Sequence, residues 1–220
     1  MRVLITAGST TVPIDQVRVI SNIFKGRTGS AIAEFFAERG VEVTLLTSNP
    51  KLIKSERENL TVVAYDTFDS LKEKMSAALT GVEKFDALIH SAAISDYRTA
   101  GVFYEEASGG LVEVDSSSKI SSEHDALFLK LVPTEKLVDL VRTEWGFKGT
   151  LVKFKLQVGI TDEELLEIAR KSRADSDADY IVANCLEWSS SYAYVLGRND
   201  IAGRVGRSML PNLLYDYMGR

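Results

Sequence analysis

The chain has 220 residues and a formal net charge of −5, with 26 lysines and arginines against 31 aspartates and glutamates. That balance argues against a protein that coats nucleic acid or another polyanion. Apolar residues make up 45% of the chain, with 15 glycines and 4 prolines, so a sizeable core can form. Wholesale disorder and a collagen-like repeat are excluded.

Cysteine usage and hydropathy indicate the compartment. Cys185 is the single cysteine, so an internal disulfide cannot form, and the opening of the chain reads as a strand rather than a secretory leader. The apolar stretches fall well short of the roughly 20 residues that cross a bilayer. The sequence predicts a soluble, cytoplasmic protein with no membrane partner.

The chain reads as strands that alternate with helices. Strands are predicted at 2–7, 41–47, 60–65, 85–90, 150–156 and 179–184, and helices at 30–39, 68–79 and 161–174. A hairpin is predicted at 192–197 and 201–205, with a closing helix from residue 208. The pattern predicts one domain over 1–220, an α/β, Rossmann-like, doubly wound and mostly parallel sheet with an antiparallel C-terminal edge hairpin.

Two segments are longer than a minimal sheet needs, and both follow strands. Residues 8–28 far exceed the usual βα loop of about 2–6 residues, and their apolar side chains predict packing. These side chains are Ile14, Val17, Val19, Ile20 and Ile23. Residues from about 97 to 122 are rich in Gly, Ser and charge, and predict a mobile flap. Because open α/β sheets bind ligands beyond the carboxyl ends of strands, both segments are expected at a ligand site.

Three glycines predict an anion site at the same edge. Gly8 follows the first strand, and Gly26 and Gly29 open the first long helix. Glycines let backbone N–H groups approach phosphate oxygens, and a helix N-terminus adds partial positive charge. A turn and close helix packing are the alternative explanation for these glycines.

A nicotinamide-dependent oxidoreductase is the main competing class, because the predicted sheet is a common dinucleotide scaffold. The G-x-G-x-x-G motif is absent after the first strand, and none of the eight tyrosines has a lysine four residues on. Hydride transfer is therefore the weaker hypothesis. A non-catalytic nucleotide-binding module stays open.

Polar side chains beyond two later strands are further candidates. Asp96 follows a run of small residues that would admit a flat base, or that pack as a tight turn. Lys119 lies in a serine-rich part of the flap, where it contacts a ligand or is a solvated surface lysine. Lys153 and Lys155 flank Phe154, and strand alternation puts both ammonium groups on one face, which meets either solvent or polyphosphate.

The remaining reactive side chains predict neither a metal site nor a nucleophile. His90 and His124 lack the further ligands that zinc requires. Cys185 has no paired histidine nearby in the sequence, so we expect a buried small side chain.

Five motifs together resemble the phosphopantothenate–cysteine ligase family. They are TAGSTTVPID at 6–15, VRVISN at 17–22, GRTG at 26–29, AAISDYR at 92–98 and KISS at 119–122. Their order and spacing match, and later segments up to residue 184 extend the likeness over nearly the whole chain. The chain resembles the free-standing bacterial form, which has no fused flavin-dependent decarboxylase domain.

The resemblance implies a step of coenzyme A biosynthesis that joins 4'-phosphopantothenate to L-cysteine through an acyl-nucleotide intermediate. The nucleotide in bacteria is usually CTP, cleaved to CMP and pyrophosphate, with Mg²⁺ bound mainly through the phosphates; ATP stays open for this chain. The resemblance also implies a homodimer in which each site borrows from the neighbouring subunit. Functional coupling to a separate phosphopantothenoylcysteine decarboxylase is expected.

The resemblance further implies a role for individual residues. Asn22 is expected to bind the phosphopantothenate amide and the intermediate, and Lys119 to close over the phosphates, which makes these two the expected catalytic residues. The expected substrate-binding residues are Arg18, Asn22 and Ala93. The expected nucleotide-binding residues are Gly8, Gly26, Gly29, Ala92, Asp96, Lys119, Phe154 and Lys155. No protein metal ligand is expected.

The chain departs from the family pattern at three places. Phe24 and Lys25 stand where the family usually has two serines, Lys153 where it usually has glycine, and Ser121-Ser122 where lysines often continue the motif. These departures bear on the phosphate contacts and leave the nucleotide preference open.

Overall fold

The computed structural model describes residues 1–219, which form thirteen strands and five α-helices. The strands are β1 (Arg2–Ala7), β2 (Thr11–Pro13), β3 (Val19–Ser21), β4 (Glu42–Thr47), β5 (Leu60–Ala64), β6 (Ala87–His90), β7 (Tyr97–Glu105), β8 (Leu111–Glu113), β9 (Phe128–Pro133), β10 (Thr150–Gln157), β11 (Tyr180–Cys185), β12 (Tyr192–Leu196) and β13 (Ala202–Gly206). The helices are α1 (Arg27–Glu38), α2 (Phe68–Thr80), α3 (Leu137–Thr143), α4 (Asp162–Asp175) and α5 (Leu210–Met218).

Eight strands form the main sheet, in the order β13-β12-β11-β10-β6-β1-β4-β5. The six strands from β11 to β5 are parallel, and β12 and β13 add an antiparallel edge. This confirms the predicted fold class. The order of connection reverses between β1 and β6, and this switch point is where doubly wound sheets open a crevice for ligands.

Helices cover both faces of the sheet. On one face, α1 and α5 pack on apolar side chains that include Val3, Ile5 and Val152. On the other, α2 and α3 pack on Leu4 and Leu88, and α4 extends this layer over β11. Since β1 and β6 are buried on both faces, their sequences are mostly apolar runs, the pattern that made them predictable.

Side-chain caps fix where two of the helices begin. The Thr67 side chain accepts from Ser70 N at the start of α2. At the start of α4, Thr161 and Glu164 form a reciprocal capping box. The helix boundaries therefore fall close to those predicted from the sequence.

The segment predicted as a flap contains two strands, β7 and β8, followed by an irregular connection to β9. β7 and β9 pair antiparallel and β8 pairs with the other side of β7, so that a three-stranded sheet, here called the arm, is inserted between β6 and α3. The arm, the β2–β3 hairpin and α3 have no counterpart in the sequence prediction. Mobility of this segment, and a single domain over 1–220, stay predictions.

The expectation that the apolar side chains of residues 8–28 pack inside the chain is wrong for most of them. The loop side chains expected to pack are mostly exposed, with Val17 at 66% and Ile23 at 73% of full exposure, and Val19 and Ile20 exposed as well. The short β2–β3 hairpin lies outside the main sheet and offers no inner face to cover them.

Among residues 1–219, no helix combines the length and apolar character that a membrane crossing requires.

Candidate active site

The candidate site lies at the switch point, where the segments after β1 and β6 run side by side. Ala93 N donates to Gly8 O at 2.7 Å, and Thr10 N donates to Ala93 O at 3.3 Å. Ser9 and Ala93 form an isolated parallel bridge that prolongs the pairing of the two strands. The backbone after β1 is therefore held directly against the predicted nucleotide loop at 91–98.

The three predicted glycines converge at this edge. Gly8 and Gly26 have φ of 91° and 85°, and a Cβ on Gly26 would lie 2.5 Å from Gly8 N. A Cβ on Gly29 would lie 2.6 Å from the Ala7 Cβ and 2.5 Å from Ser91 Oγ. The segments after β1 and before α1 approach each other so closely that only glycine fits at these positions, in agreement with the packing explanation. The phosphate role stays a prediction, and it is compatible with the N-terminus of α1, which carries neither a side-chain cap nor an acidic residue in its first turn.

Asn22 reaches the loop that follows β6. Its Nδ2 donates to Ala93 O at 3.0 Å, and the residue is exposed. The amide thus lies beside Ala93, another predicted substrate-binding residue. An exposed amide has both a donor and an acceptor to offer a bound acid or amide.

Arg18 is held in an ion pair with a buried carboxylate. The Asp15 side chain is fully buried and accepts from Arg18 Nε at 2.9 Å and from Arg18 Nη2 at 2.5 Å. The Arg18 guanidinium has the largest effect on the pKa of Asp15 and lowers it. Burial raises this pKa, and backbone donors lower it further. The pKa of Asp15 therefore lies well below its usual range. Arg18 therefore helps to fix the loop around residues 15–18, and its expected contact with substrate stays a prediction.

The connection between β8 and β9 of the arm meets the loop at residues 14–22, here called the Asn22 loop, at this ion pair. Arg18 Nη2 donates to Ile120 O at 2.9 Å, Ile120 N donates to Asp15 Oδ2 at 3.1 Å, and Gln16 Nε2 donates to Ser117 O at 2.7 Å. Ile120 is only 2% exposed, whereas its neighbour Lys119 is exposed. The two segments that the sequence analysis singled out are therefore joined in one chain.

The predicted nucleotide loop is anchored on both sides. Ser95 N donates to Thr10 Oγ1 at 2.9 Å, and Thr134 N donates to Asp96 O at 2.9 Å. Ala92 is half-buried, and the Asp96 side chain is exposed. The small residues thus do form an ordered turn, with the Asp96 carboxylate directed to solvent at its rim.

Phe154 and Lys155 lie on opposite faces of the sheet. The Phe154 ring is half-buried and packs against the apolar cluster beneath α1 and α5. Lys155 follows it on β10 and shares the other face with Lys153. The structure brings both near the carboxyl edge of the sheet without placing them side by side.

Lys153 faces neither solvent nor polyphosphate, so both alternatives from the sequence are wrong for it. Its ammonium is buried and donates to Ser172 O at 2.9 Å and to Ser176 Oγ at 3.0 Å, at the C-terminal end of α4. Burial lowers the pKa of Lys153. A cation at this end of a helix interacts favourably with the helix dipole, which gives the residue a structural role.

His90 is a residue that the sequence analysis set aside and that borders the site. It is 7% exposed, and its Nδ1 lies 2.9 Å from Thr6 Oγ1, which also accepts from Ala92 N at 3.3 Å. Burial, with the nearby Lys153 charge, lowers the pKa of His90 to about 4. His90 therefore supports the nucleotide loop from below as a neutral imidazole. The pairing register places Thr6, His90 and Lys153 in one row across three neighbouring strands. The sequence alone did not show this row, and it is what reveals the position of His90 beneath the loop.

The sheet order defines a Rossmann-like α/β protein, and the polar groups at the strand ends form a candidate ligand site at its switch point. The family model of the DNA/pantothenate metabolism flavoprotein C-terminal domain matches residues 1–200. The chain belongs to that family.

Two relatives are bifunctional coenzyme A biosynthesis proteins CoaBC. That of Thermococcus kodakarensis is 35% identical over 211 residues, which are 94% of this chain and 47% of the relative. That of Methanocaldococcus jannaschii is 33% identical over 189 residues, 84% of this chain and 40% of the relative. The chain spans less than half the length of these two curated relatives.

A solved structure matches over the whole chain. The DNA/pantothenate metabolism flavoprotein from Streptococcus pneumoniae is 30% identical, with a TM-score of 0.85 over 100% of this chain and 98% of that one. The fold described above is therefore shared with a protein of the same extent.

Proposed function

We propose that this chain is a phosphopantothenate–cysteine ligase of coenzyme A biosynthesis. The observation that carries the proposal is the contact between the Asn22 loop and the Lys119 segment at the switch point, beside the Ala92–Ala93 backbone. Family membership and relatives named for coenzyme A biosynthesis support the same activity.

The proposed chemistry explains why no side-chain nucleophile is needed. A carboxylate resists attack by an amine because its leaving group would be oxide. A carboxylate oxygen of 4'-phosphopantothenate instead attacks the α-phosphorus of CTP, pyrophosphate leaves, and an acyl-cytidylate forms. The cysteine amine then attacks the acyl carbon, the bond to CMP breaks, and the amine proton passes to solvent or buffer as the amide forms. Orientation and electrostatic stabilisation are what the protein must supply.

The proposed roles follow the geometry of the site. Asn22 would hold the phosphopantothenate amide and the acyl-nucleotide, with Ala93 beside it and Arg18 fixing the loop. Lys119 is an exposed cation suited to the phosphates. Ala92, Asp96 and the ring of Phe154 would border the nucleotide, and Lys155 would add a phosphate contact.

We further propose that Mg²⁺ enters with the nucleotide. Magnesium usually keeps several waters and binds through phosphates and one or two carboxylates. Within residues 1–219, no cluster of three or more acidic, histidine or cysteine side chains suits a metal ion. Whether CTP or ATP is the better substrate is for the assay below.

A homodimer is proposed for the working protein. The segment at residues 17–24, which includes β3, and the arm expose apolar side chains that a second copy would cover. They are Val17, Val19, Ile20, Ile23, Phe24, Tyr97, Leu111, Phe128 and Leu131. Coupling to a separate decarboxylase, and a cytoplasmic location, also belong to this proposal.

The proposal predicts that the purified chain releases pyrophosphate when 4'-phosphopantothenate, CTP, Mg²⁺ and cysteine are all present. Lys119→Gln should lower turnover by about 100-fold without changing the melting temperature, because it removes a phosphate contact worth about 1.5–3 kcal/mol. Lys148→Gln is the matched control, since Lys148 is exposed just before β10 at the opposite edge of the sheet. A pyrophosphate assay with CTP and ATP in parallel measures all of these.

Three results would contradict the proposal, the first in the role of one residue and the other two in the activity itself. Full turnover by Lys119→Gln would remove Lys119 from the site. Thermal stabilisation by NADPH, with no pyrophosphate release from either nucleotide, would instead favour an oxidoreductase, and stabilisation by CTP without turnover would favour a non-catalytic nucleotide-binding module.

A further inference from the structure

Asp15 holds together two segments that are more than 100 residues apart in sequence. Its Oδ1 accepts from Val17 N at 2.8 Å and from Arg18 N at 2.7 Å, which shapes the loop before β3. Its Oδ2 accepts from the Arg18 side chain and from Ile120 N on the arm. Every group that faces this buried carboxylate is a donor, so the site requires an acceptor on both oxygens.

The arm segment is gripped on both sides of Lys119. Ile120 offers its N–H to Asp15 and its carbonyl to Arg18, so the peptide groups on each side of this residue are fixed by one ion pair. Ser117 is held through Gln16. The apolar Ile120 side chain is buried at the same place. Lys119 lies between these anchors and is itself exposed.

We propose that Asp15 is a positioning residue that sets where the Lys119 ammonium is presented to the phosphates. The inference rests on the proposed function for the identity of the ligand, but the clamp is a property of the chain. Loop and arm then act as one unit, whether Lys119 serves the site of its own chain or that of a second copy. A freely mobile flap would have to break three long-range hydrogen bonds and expose Ile120 before Lys119 could leave.

The direct test is hydrogen exchange of the Ile120 amide in wild type and in Asp15→Asn. The Asn side chain must point an N–H either at Ile120 N or at the Val17 and Arg18 amides, so one set of bonds is lost. In either orientation the negative charge that pairs with Arg18 is also lost, and this ion pair holds the peptide groups on both sides of Ile120. We expect Ile120 to exchange at least about 10-fold faster, with the exchange of the β1 amides unchanged. Asp125→Asn is the control, because Asp125 is an exposed carboxylate on the same arm. Equal exchange at Ile120 in wild type and Asp15→Asn would overturn the proposal.

A milder variant covers the case in which Asp15→Asn fails to fold. Gln16→Ala removes the bond from the exposed Gln16 side chain to Ser117 O, and should raise the exchange rate of the Ile120 amide, the next anchor of the same segment, by about threefold. Unchanged rates in this folded variant would likewise contradict the clamp.

Turnover separates positioning of Lys119 from a merely structural effect. If Asp15 acts through Lys119, Asp15→Asn should lower kcat by about 10-fold or more in wild type, yet cause little further loss in Lys119→Gln. An equal loss in both backgrounds would overturn the link to Lys119. An inactive wild-type chain would refute the proposed function, while the exchange measurement would still decide whether Asp15 holds the arm.

Discussion

At the scale of single residues, the buried imidazole of His90 shows how the sheet supports the loop above it. His90 shares a row across the strands with Thr6 and Lys153, and its Nδ1 contacts the hydroxyl that also accepts from the Ala92 backbone. A charged imidazole here would be desolvated and would lie near the Lys153 ammonium. The neutral form is therefore the one that fits.

This neutral histidine predicts an acid-sensitive component of stability. The pKa of His90 falls from 6.5 to about 4 on folding, so the unfolded chain takes up this proton first. The contribution is complete above pH 6.5 and is lost as the pH falls towards 4, and about 2.5 kcal/mol of it is lost at pH 4.5. Unfolding in urea at pH 7 and 4.5 should show that His90→Gln loses less stability on acidification than wild type.

His124→Gln is the matched control, because His124 stacks on Tyr104 in the arm and has no part in the row across the sheet. An identical acid sensitivity in wild type and His90→Gln would contradict a neutral His90.

At the scale of elements, β10 carries two lysines with separate tasks. The Lys153 ammonium donates to Ser172 O and Ser176 Oγ at the end of α4, whereas Lys155 lies two residues nearer the carboxyl edge of the sheet and is the proposed phosphate contact. One face of β10 therefore carries a structural lysine, Lys153, and a lysine proposed to contact the ligand, Lys155.

Replacing each lysine by methionine should separate these tasks. Lys153→Met should lower the free energy of unfolding by about 1 kcal/mol, through loss of its hydrogen bonds to the end of α4, and leave kcat unchanged. Lys155→Met should leave stability nearly unchanged and lower turnover by about 10- to 100-fold, from a charged hydrogen bond worth about 1.5–3 kcal/mol. Urea unfolding and the pyrophosphate assay measure the two effects, and the reverse pattern would contradict both assignments.

Elements were predictable from the sequence where burial imposes a pattern. β1 is buried on both faces and was located to the residue, and the hairpin of β12 and β13 was located to within one residue at each end. The arm was not predictable in this way, because β7 mixes exposed and half-buried residues and pairs only within the arm. β2 and β3 have three residues each, too few to show an alternation.

The candidate site was predictable only in part. The glycines and the strand ends predict an anion site from local signals alone, and the structure brings those glycines together at the switch point. The roles of Asn22 and Lys119 came from the family resemblance. The contact of Asp15 and Arg18 with Ile120 joins residues that no local pattern relates, and the destination of the Lys153 ammonium depends on where α4 ends.

At the scale of the whole molecule, the exposed apolar side chains are concentrated on the segment at residues 17–24 and on the arm. Both lie outside the main sheet, beside the proposed site. Surfaces of this kind mark interaction sites more often than free surface. A second copy would then cover the side chains that the sequence pattern predicted to pack.

A charge at this surface should break the proposed dimer. Ile23→Glu is expected to convert the protein to a monomer in sedimentation velocity at micromolar concentration, and to lower turnover at the same time. Val82→Glu is the control, since Val82 is 96% exposed after α2, outside this surface. A monomeric wild type, or a dimer that persists in Ile23→Glu, would contradict the proposed interface.

The activation of a carboxylate by nucleotidyl transfer is tested most directly by following one oxygen atom. When 4'-phosphopantothenate labelled with ¹⁸O in its carboxylate is turned over with CTP and cysteine, we predict that one labelled oxygen appears in CMP and none in pyrophosphate, as mass spectrometry of the products will show. Amide product formed with unlabelled CMP would contradict the acyl-nucleotide route, and the absence of both products with either CTP or ATP would contradict the proposed ligase.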